Sequence, residues 1–283
     1  MNHYSPTGFR FLTPVVKNLI IINVLMFFGT MVFLSSFGLD LTRILGLHYP
    51  AAPDFKIWQF VTYMFMHGGF THIFFNMFAL WMFGNVLENV WGSQRFLTYY
   101  LITGIGAGIT YVIWVHFTMA PDISLINNVI ADPSLNNLGN LIANHRFMVN
   151  KYSGNIWSDF LAFQQSVNAY QTNPSNTLAA QNIVTFLSEY KNYFLNQHVV
   201  VGASGAVFGL LLAFGMMFPD SLIYVYFAIP VKAKWFVIIY GAAELLSGIY
   251  NRPGDNVAHF AHLGGMVFGY ILIRMWKKRG ILY

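Results

Sequence analysis

Six apolar runs punctuate this chain, each bounded by polar or turn-forming residues. They cover approximately residues 18–37, 70–87, 96–117, 199–218, 235–249 and 257–276. A helix that crosses a bilayer needs roughly 20 mostly apolar residues, so each run predicts a spanning helix. The fifth is short and needs its flanks to span. The first does not read as a cleavable signal peptide, because its polar prefix is long and it lacks a small-residue cleavage site. Between the third and fourth runs, residues 118–198 are rich in Asn, Ser and Gln. This stretch carries the turn signals Ala120-Pro121-Asp122, Ala131-Asp132-Pro133 and Asn173-Pro174-Ser175. Within it, parts of 135–170 and all of 178–195 space their apolar residues helically, with Ile183, Phe186, Leu187, Tyr190 and Phe194 on one face. The pattern predicts an all-α polytopic membrane protein. Its six-helix bundle is built from residues 1–117 and 199–283, with a mainly helical insert at 118–198.

Composition supports that reading and orients it. Hydrophobic residues make up 56% of the chain and charged residues 9%, where soluble domains carry roughly a quarter charged. The net charge is +5, but the basic residues are scattered, which argues against nucleic acid. Their one cluster, Lys277-Lys278-Arg279, follows an apolar run, where it reads as a membrane-orienting flank. With both termini cytoplasmic, the inner segments hold Arg10, Lys17, Arg95, Lys232, Lys234, Arg274 and that cluster. The outer segments hold Arg43, Lys56, Arg146, Lys151, Lys191 and Arg252, diluted over longer loops that also carry most of the acids. The positive-inside rule favours this arrangement, which puts the insert and the starts of the fourth and sixth helices on the outer side. The compact layout suggests a bacterial inner membrane. The chain has no cysteine, which excludes disulfides, thiolate catalysis and cysteine metal sites.

Polar side chains inside apolar runs are costly and point to function. Ser204 opens the fourth run in Gly202-Ala203-Ser204-Gly205-Ala206. Small neighbours admit a substrate backbone, and a helix N-terminus aims N–H groups at developing negative charge. The plainer reading is a small-residue helix contact. The motif is also not the Gly-x-Ser-x-Gly elbow of soluble hydrolases, since Ala206 takes the last position. In the sixth run, His259 and His262 lie three apart, and Gly265 and Gly269 follow at a Gly-x-x-x-Gly spacing. That stripe lets two helices approach at backbone distance and bring His262 within reach of Ser204 as general base. His259 reads better as a structural hydrogen-bonding residue. The second run adds His67, His72 and Asn76, the last two sharing a face at i and i+4, where their N–H groups could form an oxyanion hole. A metal site built from His67, His72, His259 and His262 is disfavoured because no carboxylate is spaced to join them. Glu244 lies inside the fifth run and is assigned a hydrogen-bonded packing role, although an intramembrane acid is also a functional suspect.

Together these segments resemble the rhomboid family of intramembrane serine proteases. The matching residues are His67-Gly68-Gly69-Phe70-Thr71-His72-Ile73-Phe74-Phe75-Asn76, Gly202-Ala203-Ser204-Gly205, and Ala261-His262-Leu263-Gly264-Gly265 with Gly269. The resemblance implies a cavity opening outward and a serine endopeptidase that cuts transmembrane segments of single-pass proteins near the outer interface. It implies Ser204 as nucleophile and His262 as base, a dyad without an Asp and with no cofactor. His72, Asn76, Gly202 and the Ser204 N–H would bind the oxyanion or substrate, and Phe208 would pack on the catalytic imidazole. Trp58-Gln59 departs from the family's Trp-Arg, so a different loop anchor is expected, and Glu88 matches a structural carboxylate. A non-catalytic rhomboid-like escort for membrane clients and a transporter using the buried histidines are the competing readings. The insert could contact substrates or limit access from the fifth-helix side.

Overall fold

The computed structural model describes residues 10–225, 228–250 and 258–280. The chain divides into two compact units: Met1–Leu47 with Lys56–Val112 and Val199–Tyr283, and His48–Phe55 with Ile113–His198. The short segment 48–55 thus belongs with the insert, a membership that hydropathy alone does not signal.

In the first unit, α1 (Pro14–Phe37) begins on a proline, whose fixed φ and missing N–H suit the first helical position. Val15 and Val16 have no carbonyl to pair with inside the helix, and their N–H groups donate to Glu88 at 3.0 and 2.9 Å. Ser93 Oγ donates to the same carboxylate at 2.5 Å, so Glu88 ties together the starts of two helices. α1 stops at Gly38, whose φ of 65° lets its N–H close on the Leu34 carbonyl. Glu88 sits in α2 (Phe70–Trp91), where Ile73, Asn76, Met77, Leu80, Phe83, Gly84 and Leu87 fall at helical steps on the buried face. α1 turns Leu25, Phe28, Met31 and Val32 outward, an apolar surface that water penalises and lipid does not.

α3 (Ser93–Ala131) has 39 residues and continues well beyond the predicted end at 117. The expected turn at Ala120-Pro121-Asp122 does not form; Pro121 lies inside the helix. Proline removes one hydrogen bond to the preceding turn, but Val115, Met119, Ile126 and Val129 are all buried at helical spacing and carry the helix past it. The helix ends where the second turn signal stands, at Ala131 before Asp132-Pro133.

The second unit contains α4 (Leu135–Asn144), α5 (Asn155–Thr172) and α6 (Thr177–Asn196). α6 starts on an Asn176 side chain that accepts the Ala179 N–H at 3.0 Å, and its predicted face is buried at Ile183, Phe186, Leu187, Tyr190 and Phe194. Phe147, Phe160 and Phe163 stack on that face, with Phe163 and Phe186 ring centroids 4.5 Å apart. Among these rings His145 bridges Asp122 at 2.6 Å and the Tyr190 hydroxyl at 2.9 Å, a polar clamp absent from the sequence-based picture.

The chain re-enters the first unit at α7 (Ser204–Met217), which is buried without a break from Gly205 to Leu211 and is therefore enclosed by other helices. A short antiparallel hairpin follows, β1 (Leu222–Val225) with β2 (Ile229–Lys232), a departure from the all-helical expectation. Lys232 and Lys234 both reach Asp220, at 3.1 and 2.9 Å. α8 (Ala233–Tyr250) and α9 (His259–Lys278) complete the described chain. Among the described residues, α1, α2 and α3 are long and apolar enough to cross a membrane, while the apolar α7 has only 14 residues.

Candidate active site

Close helix packing creates the site. A Cβ on Gly265 of α9 would run into the backbone carbonyl of Gly205 on α7, so only glycine permits this approach. Gly269 likewise lies against Tyr99, and Gly264 against Thr110. At this crossing His262 presents Nε2 to Ser204 Oγ at 2.8 Å. The Phe208 ring, one turn after Ser204, lies parallel to the imidazole, with centroids 4.2 Å apart and planes 7° apart. Tyr240 of α8 also stacks on Phe208, with centroids 5.2 Å apart.

Ser204 is the first residue of α7, so the N–H groups of Ser204, Gly205 and Ala206 have no carbonyl inside the helix to pair with; the first turn closes from the Val207 N–H to the Ala203 carbonyl at 3.0 Å. Unpaired N–H groups and the positive end of the helix dipole at Ser204 are an arrangement that can stabilise negative charge beside its Oγ. Gly202, two residues earlier, has φ +126° and gives its N–H to the Tyr63 carbonyl at 2.9 Å. A methyl group there would lie 2.8 Å from His72 Nε2 and 3.6 Å from Ser204 Oγ, so both side chains face the same small space. In this geometry Gly202 supplies room rather than a donor. The Gly68 N–H points to His72 Nδ1 at 3.4 Å, a long contact that favours the proton on Nε2, where it faces that space. Asn76 donates one amide hydrogen to the His72 carbonyl at 3.0 Å. His67 is buried and meets the His72 ring edge-on, with centroids 5.0 Å apart.

Gln59, the residue at which the sequence departs from the resemblance, is held firmly in place. Fully buried, it donates to the Ile44 carbonyl at 3.1 Å and accepts the Lys56 N–H at 3.1 Å.

Glu244 corrects the expectation that no carboxylate joins the histidines. Its Oε2 lies 2.8 Å from His262 Nδ1 and 2.7 Å from His259 Nδ1. Ligand atoms of Glu244, His259 and His262 all fall within 4.8 Å of one another, so among the described residues these three are the ones that could hold a metal ion, and His67 and His72 are not among them. The two Nδ1–Oε2 separations are hydrogen-bond lengths, shorter than the roughly 3.3 Å that tetrahedral ligands about 2.0–2.1 Å from zinc would keep. The buried acid was visible in the sequence, but its partner was not.

A helical membrane protein with a serine and a histidine paired at a buried helix start is the class that this fold and site define. The Rhomboid domain family matches residues 54–124 and 171–279, well over half of the chain, and the protein belongs to that family. An uncharacterized mitochondrial rhomboid protein of Schizosaccharomyces pombe is 34% identical over 88 residues, which cover 29% of this chain and 22% of that protein. The rhomboid protease GluP of Bacillus subtilis is 42% identical over 52 residues, covering 18% of this chain and 10% of GluP. The rhomboid protease AarA of Providencia stuartii is 27% identical over 105 residues, covering 36% and 37%. The chain thus spans well under half the length of each of these relatives.

Proposed function

We propose that the protein is an intramembrane serine endopeptidase that cuts transmembrane segments of single-pass proteins near the outer membrane interface. The observation that carries this reading is the 2.8 Å contact between Ser204 Oγ and His262 Nε2 at the start of α7. His262 takes the serine proton as Oγ bonds to the scissile carbonyl carbon. The carbonyl oxygen, now negative, is met by the first-turn N–H groups of α7 and by His72, which faces the same space as Ser204 Oγ. Asn76 supports His72 through its bond to the His72 carbonyl. The proton then passes from Nε2 to the leaving amine, and water repeats the sequence to release the acyl group.

The length of α7 fits this role. Its 14 residues extend only about 21 Å, against a hydrocarbon core about 30 Å thick. With its far end near the inner face, Ser204 lies below the outer surface. The non-helical backbone before it must then line a protein-enclosed, watered cavity. The charge distribution supports six spans, both termini cytoplasmic and residues 118–198 on the outer side. A bacterial inner membrane is the setting that fits this layout.

Reconstitution in proteoliposomes with a reporter transmembrane substrate tests the reading. A cut by wild type that Ser204→Ala abolishes is expected. Binding without a cut would favour a non-catalytic escort, and equal cleavage by the two proteins would remove Ser204 from the mechanism.

A further inference from the structure

We infer that Glu244 is a positioning residue for His262, so that the reacting unit is Ser204–His262–Glu244 rather than a two-residue pair. The inference rests on the serine-protease reading above and extends it.

α8 carries Glu244 inward to a site where it is 8% exposed, and one carboxylate oxygen, Oε2, faces two imidazole Nδ1 atoms. An ionised carboxylate only accepts hydrogen bonds. Contacts of 2.7 and 2.8 Å to the same oxygen then require both rings to carry their proton on Nδ1. For His262 this leaves the lone pair on Nε2, the atom 2.8 Å from Ser204 Oγ. The carboxylate thereby selects the one neutral tautomer that can remove the serine proton.

Stacking cannot do this. Phe208 fixes the plane of the imidazole, at 7°, but leaves the ring free to turn within that plane and is indifferent to which nitrogen holds the proton. A polar anchor at Nδ1 settles both. As Ser204 Oγ bonds to the carbonyl carbon and its proton moves to Nε2, His262 becomes an imidazolium, and Glu244 opposes that charge across the Nδ1–H. Burying a carboxylate is costly. Two N–H donors at hydrogen-bond distance offset that cost, which gives His259 its place: it shares Oε2 with His262 and holds the acid where the base needs it.

The test compares wild type, Glu244→Gln and Ser204→Ala as full chains in the same membrane mimic. It measures the rate constant and final extent of fluorophosphonate labelling, together with kcat and KM on a reporter substrate. For Glu244→Gln the labelling rate constant and kcat should both fall about 100-fold or more, as when a triad carboxylate loses its charge. KM should stay within about twofold and labelling should reach the same final extent. A purely structural acid would lower the final extent and leave the rate constant of the folded fraction alone. Glu244→Gln labelling within about threefold of the wild-type rate constant, with Ser204→Ala silent, would overturn the role of Glu244 and leave the serine assignment standing. Equal labelling of wild type and Ser204→Ala would instead remove the serine assignment. Should Glu244→Gln fail to fold, ¹⁵N-histidine spectra of the wild type decide: a proton on His262 Nδ1 is expected, and a proton on Nε2 would overturn the inference.

Discussion

Gly202 concentrates much of what the site demands of a single residue. Its φ of +126° is a conformation that side-chain-bearing residues rarely adopt, and its missing Cβ leaves room for the His72 ring. Gly202→Ala would press a methyl against His72 Cε1 and Nε2, each 2.8 Å away, and displace the His72 ring, the proposed oxyanion donor. Misplacement by about an ångström costs up to about 100-fold in rate. We therefore expect kcat to fall at least about tenfold with the labelling extent retained, measured on the reporter substrate; an unchanged kcat would contradict the geometry. Ser204, His262, His72 and Asn76 stood out in the sequence as candidates because a hydroxyl, an imidazole or an amide inside an apolar run is conspicuous, and the structure brings the first three together. The partner of Glu244 was not legible. It lies 18 residues away on another helix, and which face each helix turns to the other depends on packing that local spacing does not encode. Gln59 was legible only as a departure, and the structure supplied its two hydrogen bonds.

At the scale of elements, periodicity was a better guide than punctuation. The apolar face of α6 emerged as spaced, and the turn signals at Ala131-Asp132-Pro133 and Asn173-Pro174-Ser175 fell at helix ends. Pro121 misled because a proline is read as a stop, whereas burial of Met119 and Ile126 on either side outweighs the one hydrogen bond it removes. Pro121→Ala restores a donor toward the Phe117 carbonyl. It should raise the stability of this helix by about 1–3 kcal/mol, read as an upward shift in thermal unfolding. A downward shift would mean that the proline itself shapes α3. The His145 clamp was invisible because Asp122, His145 and Tyr190 come from three separate segments. The contact of α9 with α7 was legible through Gly265 and Gly269, since glycines four apart in an apolar run have few other uses.

At the scale of the whole molecule, low charge and six apolar runs were enough to predict a helical membrane protein, and family membership agrees with them. Hydropathy could not reveal that segment 48–55 joins the insert's compact unit, because that membership depends on tertiary contacts. Nor could it give the true length of α7, whose 14 residues begin only at Ser204, five positions after the apolar run does. That short helix links fold to the proposed chemistry, since it puts Ser204 at a helix start. The central claim is that Ser204 is an activated nucleophile made so by His262. Fluorophosphonate labelling of the membrane-embedded protein, with the adduct located by mass spectrometry, tests it most directly. A single phosphonyl adduct on Ser204, lost in both Ser204→Ala and His262→Ala, is the predicted result; an adduct elsewhere, or one on Ser204 that forms at an undiminished rate without His262, would contradict it.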